Sequence, residues 1–362
     1  MPQILRIFRR IDWILFSAVG ILVALGLLAI WSVDLAQDPG RLFNFRKQLV
    51  FTGVGFAAAL GLTLVDFRVW RSLTRFLYVA GAAALTGVIL FGVTVRGTRG
   101  WLSILGYTAQ PVELAKIILI MVVANYLDRK AHLVDLKVML GVGILGGLYT
   151  ALTLAQPDLG SALVLLAITF GMVLFARVPG RYLWGGIIAV VFAALLSWQF
   201  FLRDYQKERV LSFLDPERDP FGHGYNIRQS VIAVGAGGIA GRGLGQGSQS
   251  QLRFLPEAQT DFIFAVLAEQ LGLFGVLLVL GAYGVIVWRL ANLLRAITDG
   301  FAMFCVAGFF LVLGVQVLLN AGMNLGVLPI VGLPLPFVSL GGSALLANFL
   351  MLGVVQSIRV RG

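Results

Sequence analysis

Residues 13–31 read WILFSAVGILVALGLLAIW, nineteen consecutive residues without a charge. At about 1.5 Å rise per residue a helix of this run is about 28 Å long, which matches the roughly 30 Å hydrocarbon core of a bilayer. No water reaches the backbone there, so a crossing segment must close its own hydrogen bonds, and a helix does so within one segment. Arg6, Arg9 and Arg10 precede the run as in a signal peptide. The run is long, however, and lacks a small-residue cleavage site, so it reads as a retained first span.

Nine more runs of this kind follow, near residues 48–65, 76–94, 111–127, 138–155, 159–176, 182–202, 262–288, 301–321 and 337–357. The chain has 362 residues, 59% of them hydrophobic and 12% charged, with a mean hydropathy of +0.92. An ordinary soluble domain is about 25% charged. The expected fold is therefore an all-α polytopic membrane protein of about ten helices, a single integral membrane domain over residues 1–362. Its net charge of +11 does not mark a nucleic-acid binder, because the basic residues are dispersed among short loops. The one cysteine, Cys305, excludes an intrachain disulfide and offers no metal or redox spacing.

Short loops on the cytoplasmic side collect Lys and Arg. One set of connections is richer: the N-terminal tail, Arg68/Arg71/Arg75, Arg129/Lys130/Lys137, Arg177/Arg181, Arg289/Arg295 and Arg359/Arg361. The opposite short loops hold Arg41, Arg46, Lys47, Arg96 and Arg99. Both termini are thus expected in the cytoplasm. Residues 203–261, between spans seven and eight, become a large extracytoplasmic loop, and within it residues 225–239 have the rhythm of a short interfacial helix.

Glu113 and Lys116 stand three apart inside the fourth expected span, hence on one helical face. Ionisable groups in a span are functional by default, or else form a structural ion pair. Arg96, Arg99 and Trp101 (VRGTRGW, 95–101) supply cations and an aromatic at headgroup depth. Asp158, in the Gln156-Pro157-Asp158 turn, either caps the next helix or faces a cleft and orients a cation or sugar hydroxyl. Asp261 lies where the polar loop enters an apolar helix. Partial desolvation there strengthens a carboxylate's hold on a proton, which a general base needs, although a helix cap is the plainer reading. Glu269, two turns on, reads as part of a polar network. GAGGIA (235–240) fits a dinucleotide fingerprint only in letters, since no strand precedes it, and its glycines instead suit tight turns or close approach. Ser339 and Ser343 lack a nucleophile-elbow frame, and His132 and His223 fall in opposite loops, so neither a triad nor a zinc site is expected.

The segments RKQLVF (46–51), GWLSILGYTAQPVELAK (100–116), QPDLGSA (156–162), GSQSQLRFLPEAQTDFIFAVLAEQLG (247–272) and GMNLGVLPIVGLPLPFVSLGGS (322–343) closely resemble the shape, elongation, division and sporulation (SEDS) family, and within it the elongation branch. Two departures stand out: Gln259 where many relatives have His before Thr-Asp-Phe, and Leu340 where they have Tyr. The resemblance implies a peptidoglycan glycosyltransferase that joins lipid II through β-1,4 bonds and releases undecaprenyl pyrophosphate. It implies Asp261 as catalytic base and Arg46, Lys47 and Arg99 as partners of the pyrophosphate. It further implies Glu113 and Lys116 shaping the inner end of a groove, and Glu257 placing the loop that carries Asp261. The implied protein partner is a class B penicillin-binding transpeptidase, in the bacterial inner membrane. A divalent cation, Mg2+ or Mn2+, would suit a pyrophosphate and a carboxylate, but no dedicated cage is visible. The rival reading is a lipid II flippase, which needs a carboxylate near mid-membrane; a non-enzymatic scaffold would leave Asp261 replaceable.

Overall fold

A computed structural model describes residues 3–37, 42–95, 98–104, 107–130, 135–176, 178–196, 198–199, 204–215 and 217–362. Arg41, Arg96, His132, Arg177 and Arg203 lie outside the described residues. A short helix, α1 (Gln3–Arg10), leads into α2 (Trp13–Gln37), α3 (Phe43–Leu64) and α4 (Phe67–Phe91). Three short strands follow, β1 (Val93–Val95), β2 (Thr98–Ile104) and β3 (Tyr107–Ala109), and then α5 (Pro111–Lys130), α6 (Leu136–Leu154), α7 (Leu159–Leu174) and α8 (Gly180–Leu196). The segment after them carries α9 (Asp204–Leu214), α10 (His223–Gly237) and α11 (Ser248–Gln251). The chain finishes with α12 (Ile263–Ala296), α13 (Gly300–Asn324) and α14 (Gly342–Arg361).

A helix occupies each of the ten expected apolar runs. Among the described residues seven of these helices, α2, α3, α4, α6, α12, α13 and α14, are long and apolar enough to cross a bilayer, which makes this a multi-pass membrane protein. The others differ for identifiable reasons. Helix α5 carries Glu113 and Lys116, and α7 and α8 are shorter. Helix starts follow the acids: Asp12, Asp66, Asp135, Asp158 and Asp299 each accept a backbone N–H of the turn that follows. Asp66 is why α4 begins at Phe67, nine residues before the expected span.

Three expectations need correction. The 95–110 loop is a three-stranded antiparallel meander, β1-β2-β3, so the fold is not purely α. The β-branched and aromatic residues Thr98, Trp101 and Ile104 favour extended backbone there. The last helix begins at Gly342, not near 337, because residues 337–341 bond elsewhere. Helix α12, at the eighth expected span, is broken at Gly272 (φ 63°, ψ −157°).

At that break the 238–247 glycine-rich segment docks backbone to backbone. Arg242 N–H donates to Glu269 C=O (2.9 Å), Gly243 N–H to Gln270 C=O (3.0 Å) and Leu273 N–H to Gly238 C=O (3.0 Å). A Cβ on Gly272 would collide with the backbone of Gly241, and one on Gly241 with that of Gln270, so both positions require glycine. Glu269, fully buried, accepts Gln249 N–H (2.8 Å) and Ser250 N–H (3.0 Å), anchoring α11. Helix α5 forms the axis of the bundle, touching α4, α6, α7, α13 and α14, while α14 lies along α3 and α12 along α2.

Candidate functional site

Asp261 immediately precedes the N-terminus of α12, whose N-cap is Phe262 with no side-chain cap. Its turn is built on Glu257, held at a left-handed φ of 54°, whose carbonyl accepts the N–H groups of Thr260 (3.0 Å), Asp261 (3.2 Å) and Phe262 (3.3 Å). Thr260 Oγ1 also donates to Glu257 Oε2 (3.1 Å). An unfavourable φ on a non-glycine residue persists only where surroundings over-determine it.

Those surroundings are a polar frame drawn from four parts of the chain. Asn320 and Asn324 of α13, both fully buried, each donate to Asp261 C=O at 3.0 Å. Asn320 also donates to Leu333 C=O (2.7 Å), which ties the 325–336 loop to the same point. Ser339 Oγ donates to Thr260 C=O (2.5 Å), and Leu340 N–H to Gln259 C=O (2.8 Å). Gln48 of α3 braces the 339–341 segment by donating to Ser339 C=O (3.0 Å) and accepting Gly341 N–H (3.2 Å). Asp34 of α2 accepts Gln259 Nε2 (2.7 Å) and Phe45 N–H (2.8 Å), and Asn44 donates to Gln259 Oε1 (2.7 Å). The frame therefore fixes the backbone around Asp261. Its carboxylate is half-buried, with Oδ2 3.4 Å from where a Cβ on Gly332 would sit.

Beside this turn opens a polar cavity of about 340 Å³ lined by Asn44, Arg253, Glu257, Gln259, Thr260 and Leu340, among others. It is large enough for a sugar-sized group and offers donors, a carboxylate and a guanidinium. Arg46, exposed, and Lys47, half-buried, lie on the α3 turn that contributes Asn44. Arg99 is committed elsewhere: it donates to Leu90 C=O (3.2 Å) and Gly92 C=O (3.0 Å), satisfying carbonyls at the end of α4.

Asp158 takes the capping role, accepting Ser161 N–H (2.9 Å) as well as Ser161 Oγ (2.7 Å) and Gln110 Nε2 (3.2 Å). It sits near the site without lining the cavity. Two residues on, Gly160 packs against Val331 and Leu333, so the start of α7 braces the loop that faces Asp261. Glu113 and Lys116 pair with each other, Oε2 to Nζ 2.8 Å, both buried in α5. Among the described residues no group of three or more His, Cys, Asp or Glu gathers as a metal centre.

Sequence reasoning missed Asp34, Asn44, Asn320 and Asn324. Their signal was available, since polar side chains within or beside apolar runs must find partners. Arg253 lay inside a quoted motif without a role.

The model of the FtsW/RodA/SpoVE cell cycle protein family matches residues 9–361. The peptidoglycan glycosyltransferase MrdB of Escherichia coli K12 is 39% identical over 91% of this chain and 88% of its own length. A chain of a solved peptidoglycan synthase complex, one that coordinates polymerization and crosslinking, is 34% identical with a TM-score of 0.83, covering 96% of this chain and 97% of that one. The crystal structure of the rod shape determining protein RodA of Thermus thermophilus is 30% identical with a TM-score of 0.72, over 96% of each chain. With a family match over nearly its whole length and relatives this similar, the chain belongs to the FtsW/RodA/SpoVE family.

Proposed function

We propose that this protein is the peptidoglycan glycosyltransferase of cell elongation, an inverting polymerase that joins lipid II into glycan strands. The observation that carries this reading is half-buried Asp261, on a backbone fixed from α2, α3, α13 and the 337–341 segment, directly after the residues Glu257 to Thr260 that line a polar cavity. In the proposed step Asp261 takes the proton of the acceptor 4-hydroxyl as its oxygen attacks the donor's anomeric carbon. The bond from that carbon to pyrophosphate breaks, and undecaprenyl pyrophosphate leaves with the electron pair. Fixed cations stabilise a leaving pyrophosphate without having to reorganise. Arg46 and Lys47 are best disposed for this, with Arg253 added from the cavity wall, whereas Arg99 is held by the carbonyls at the end of α4. Glu257 holds the turn, and Asp158 positions α7.

All ten apolar helices cross the inner membrane in this proposal, with both termini cytoplasmic and residues 203–261 outside within one integral domain. That orientation puts Asp261 at the outer face, where the disaccharide of lipid II would lie. The partner is a class B penicillin-binding protein, in keeping with the polymerization and crosslinking complex to which this chain is similar. A divalent cation, when bound, would neutralise charge on the pyrophosphate.

The test is polymerisation of purified lipid II in proteoliposomes by wild type, Asp261→Asn and Asp261→Ala, with and without the transpeptidase. Loss of a general base lowers the rate by roughly 10²- to 10⁴-fold. Long strands from wild type and that loss in both variants support the assignment. Equal synthesis by the variants removes Asp261 from the mechanism. Absence of synthesis by wild type, joined with lipid II translocation that depends on Glu113, would favour the flippase.

A further inference from the structure

At the end of the bundle away from Asp261 lies a second cavity, of about 660 Å³, which the proposed reaction does not use. Three helices establish the separation. Helix α2 runs from Trp13 in this cavity to Asp34 in the Asp261 frame, α12 from the Asp261 turn to Arg289, and α14 from Gly342 to Arg361. Its walls carry Arg9, Arg10, Arg289, Arg359 and Arg361 against a single acidic side chain, Asp12. Among the lining side chains, five arginines against one aspartate leave an excess of four positive charges, with the last residue, Gly362, also at the wall.

The cavity is built rather than adventitious. Asp12 is clamped by Arg289, whose Nη2 stands 2.6 Å from Oδ2, and its backbone exchanges two hydrogen bonds with Gln356 (3.0 and 3.1 Å). Arg361 donates to Thr63 C=O (2.8 Å) and Leu64 C=O (2.5 Å), and Arg10 to Val360 C=O (3.3 Å). These bonds hold the walls. Arg9 and Arg359 are exposed, and among the described residues neither has a hydrogen-bond or ion-pair partner. Concentrating cations in this way is unfavourable unless an anion joins them.

The rim identifies the kind of anion. Trp13 and Ile14, both exposed, begin the apolar span α2, and Phe8 stacks on Trp13 with ring centroids 6.5 Å apart. An aromatic pair there marks headgroup depth. We infer that this cavity is a binding site for the phosphate headgroup of an anionic phospholipid, whose acyl chains would run down the exposed apolar surface beside Ile14. A basic recess at the membrane surface between helices is the general form of such sites.

The full chain is incorporated into nanodiscs of equal phosphatidylglycerol and phosphatidylcholine, extracted in mild detergent, and the retained lipid quantified by mass spectrometry. Wild type is expected to retain phosphatidylglycerol selectively. Arg9→Gln/Arg359→Gln should lower that retention about tenfold or more, from two lost cations at the surface. Arg68→Gln/Arg75→Gln, which removes equal charge outside the cavity, should leave it intact, and Arg9→Lys/Arg359→Lys should restore most of it. Equal retention of the two lipids by wild type, or equal losses in the two glutamine pairs, overturns the proposal. Displacement of the lipid by an equal concentration of inorganic phosphate also overturns it, because the site would then prefer a free anion.

Discussion

At the scale of single residues, the two asparagines of α13 deserve the sharpest test. Asn320 and Asn324 both donate to the carbonyl of Asp261. Removing either leaves a buried carbonyl with fewer partners, a cost of about 1–3 kcal/mol. On the proposed role of Asp261 as base, Asn320→Ala and Asn324→Ala should therefore lower kcat in lipid II polymerisation about tenfold or more with little change in KM, by displacing Asp261 rather than removing a substrate contact. A rise in KM at unchanged kcat would instead make them binding residues. The buried pair of α5 invites a different measurement. Glu113→Gln or Lys116→Met alone strands one buried charge and should cost about 3–5 kcal/mol, read as a lower Tm in detergent. The double variant Glu113→Leu/Lys116→Leu should recover much of that loss, because the remaining charge is removed too. The ion pair was legible from spacing alone. The asparagines were not, since their role depends on a turn 59 and 63 residues away.

At the scale of elements, the break in α12 explains why the preceding segment is rich in glycine. Gly272 and Gly241 approach so closely that neither tolerates a Cβ, and three backbone hydrogen bonds cross between them and their neighbours. Gly272→Ala meets both a left-handed φ and a steric block, and should destabilise the junction by more than about 1 kcal/mol. Limited proteolysis of the 238–261 segment measures this directly, and faster cleavage is expected in the variant. Unchanged cleavage would mean that the junction does not hold that segment. The sequence pattern disclosed that the glycines from residue 235 on serve a turn or a close approach, but not that they meet the backbone at Gly272. The β1–β3 meander was not legible because TRGWLSI lacks strict two-residue alternation and its strands are fixed by pairing with one another.

At the scale of the whole molecule, orientation governs everything said of substrate and lipid. With Cys305 replaced by Ser as background, Glu217→Cys should react with a membrane-impermeant thiol reagent added outside intact spheroplasts, and Arg129→Cys should react only after lysis. The reverse pattern would invert the bundle and refute an extracytoplasmic Asp261. Ten apolar runs, their helical state and the multi-pass class were legible in the sequence. Hydrocarbon length, lack of charge and the demands of an unsolvated backbone are local properties that can be read one segment at a time. Tertiary structure alone decided that Asp158 caps a helix, that Arg99 serves the end of α4, and that Asp34, Gln48, Asn320, Asn324 and Ser339 converge on one turn. Those roles arise from buried polar groups finding partners across the bundle, and such pairing depends on which helices meet, not on the residues adjacent in the chain.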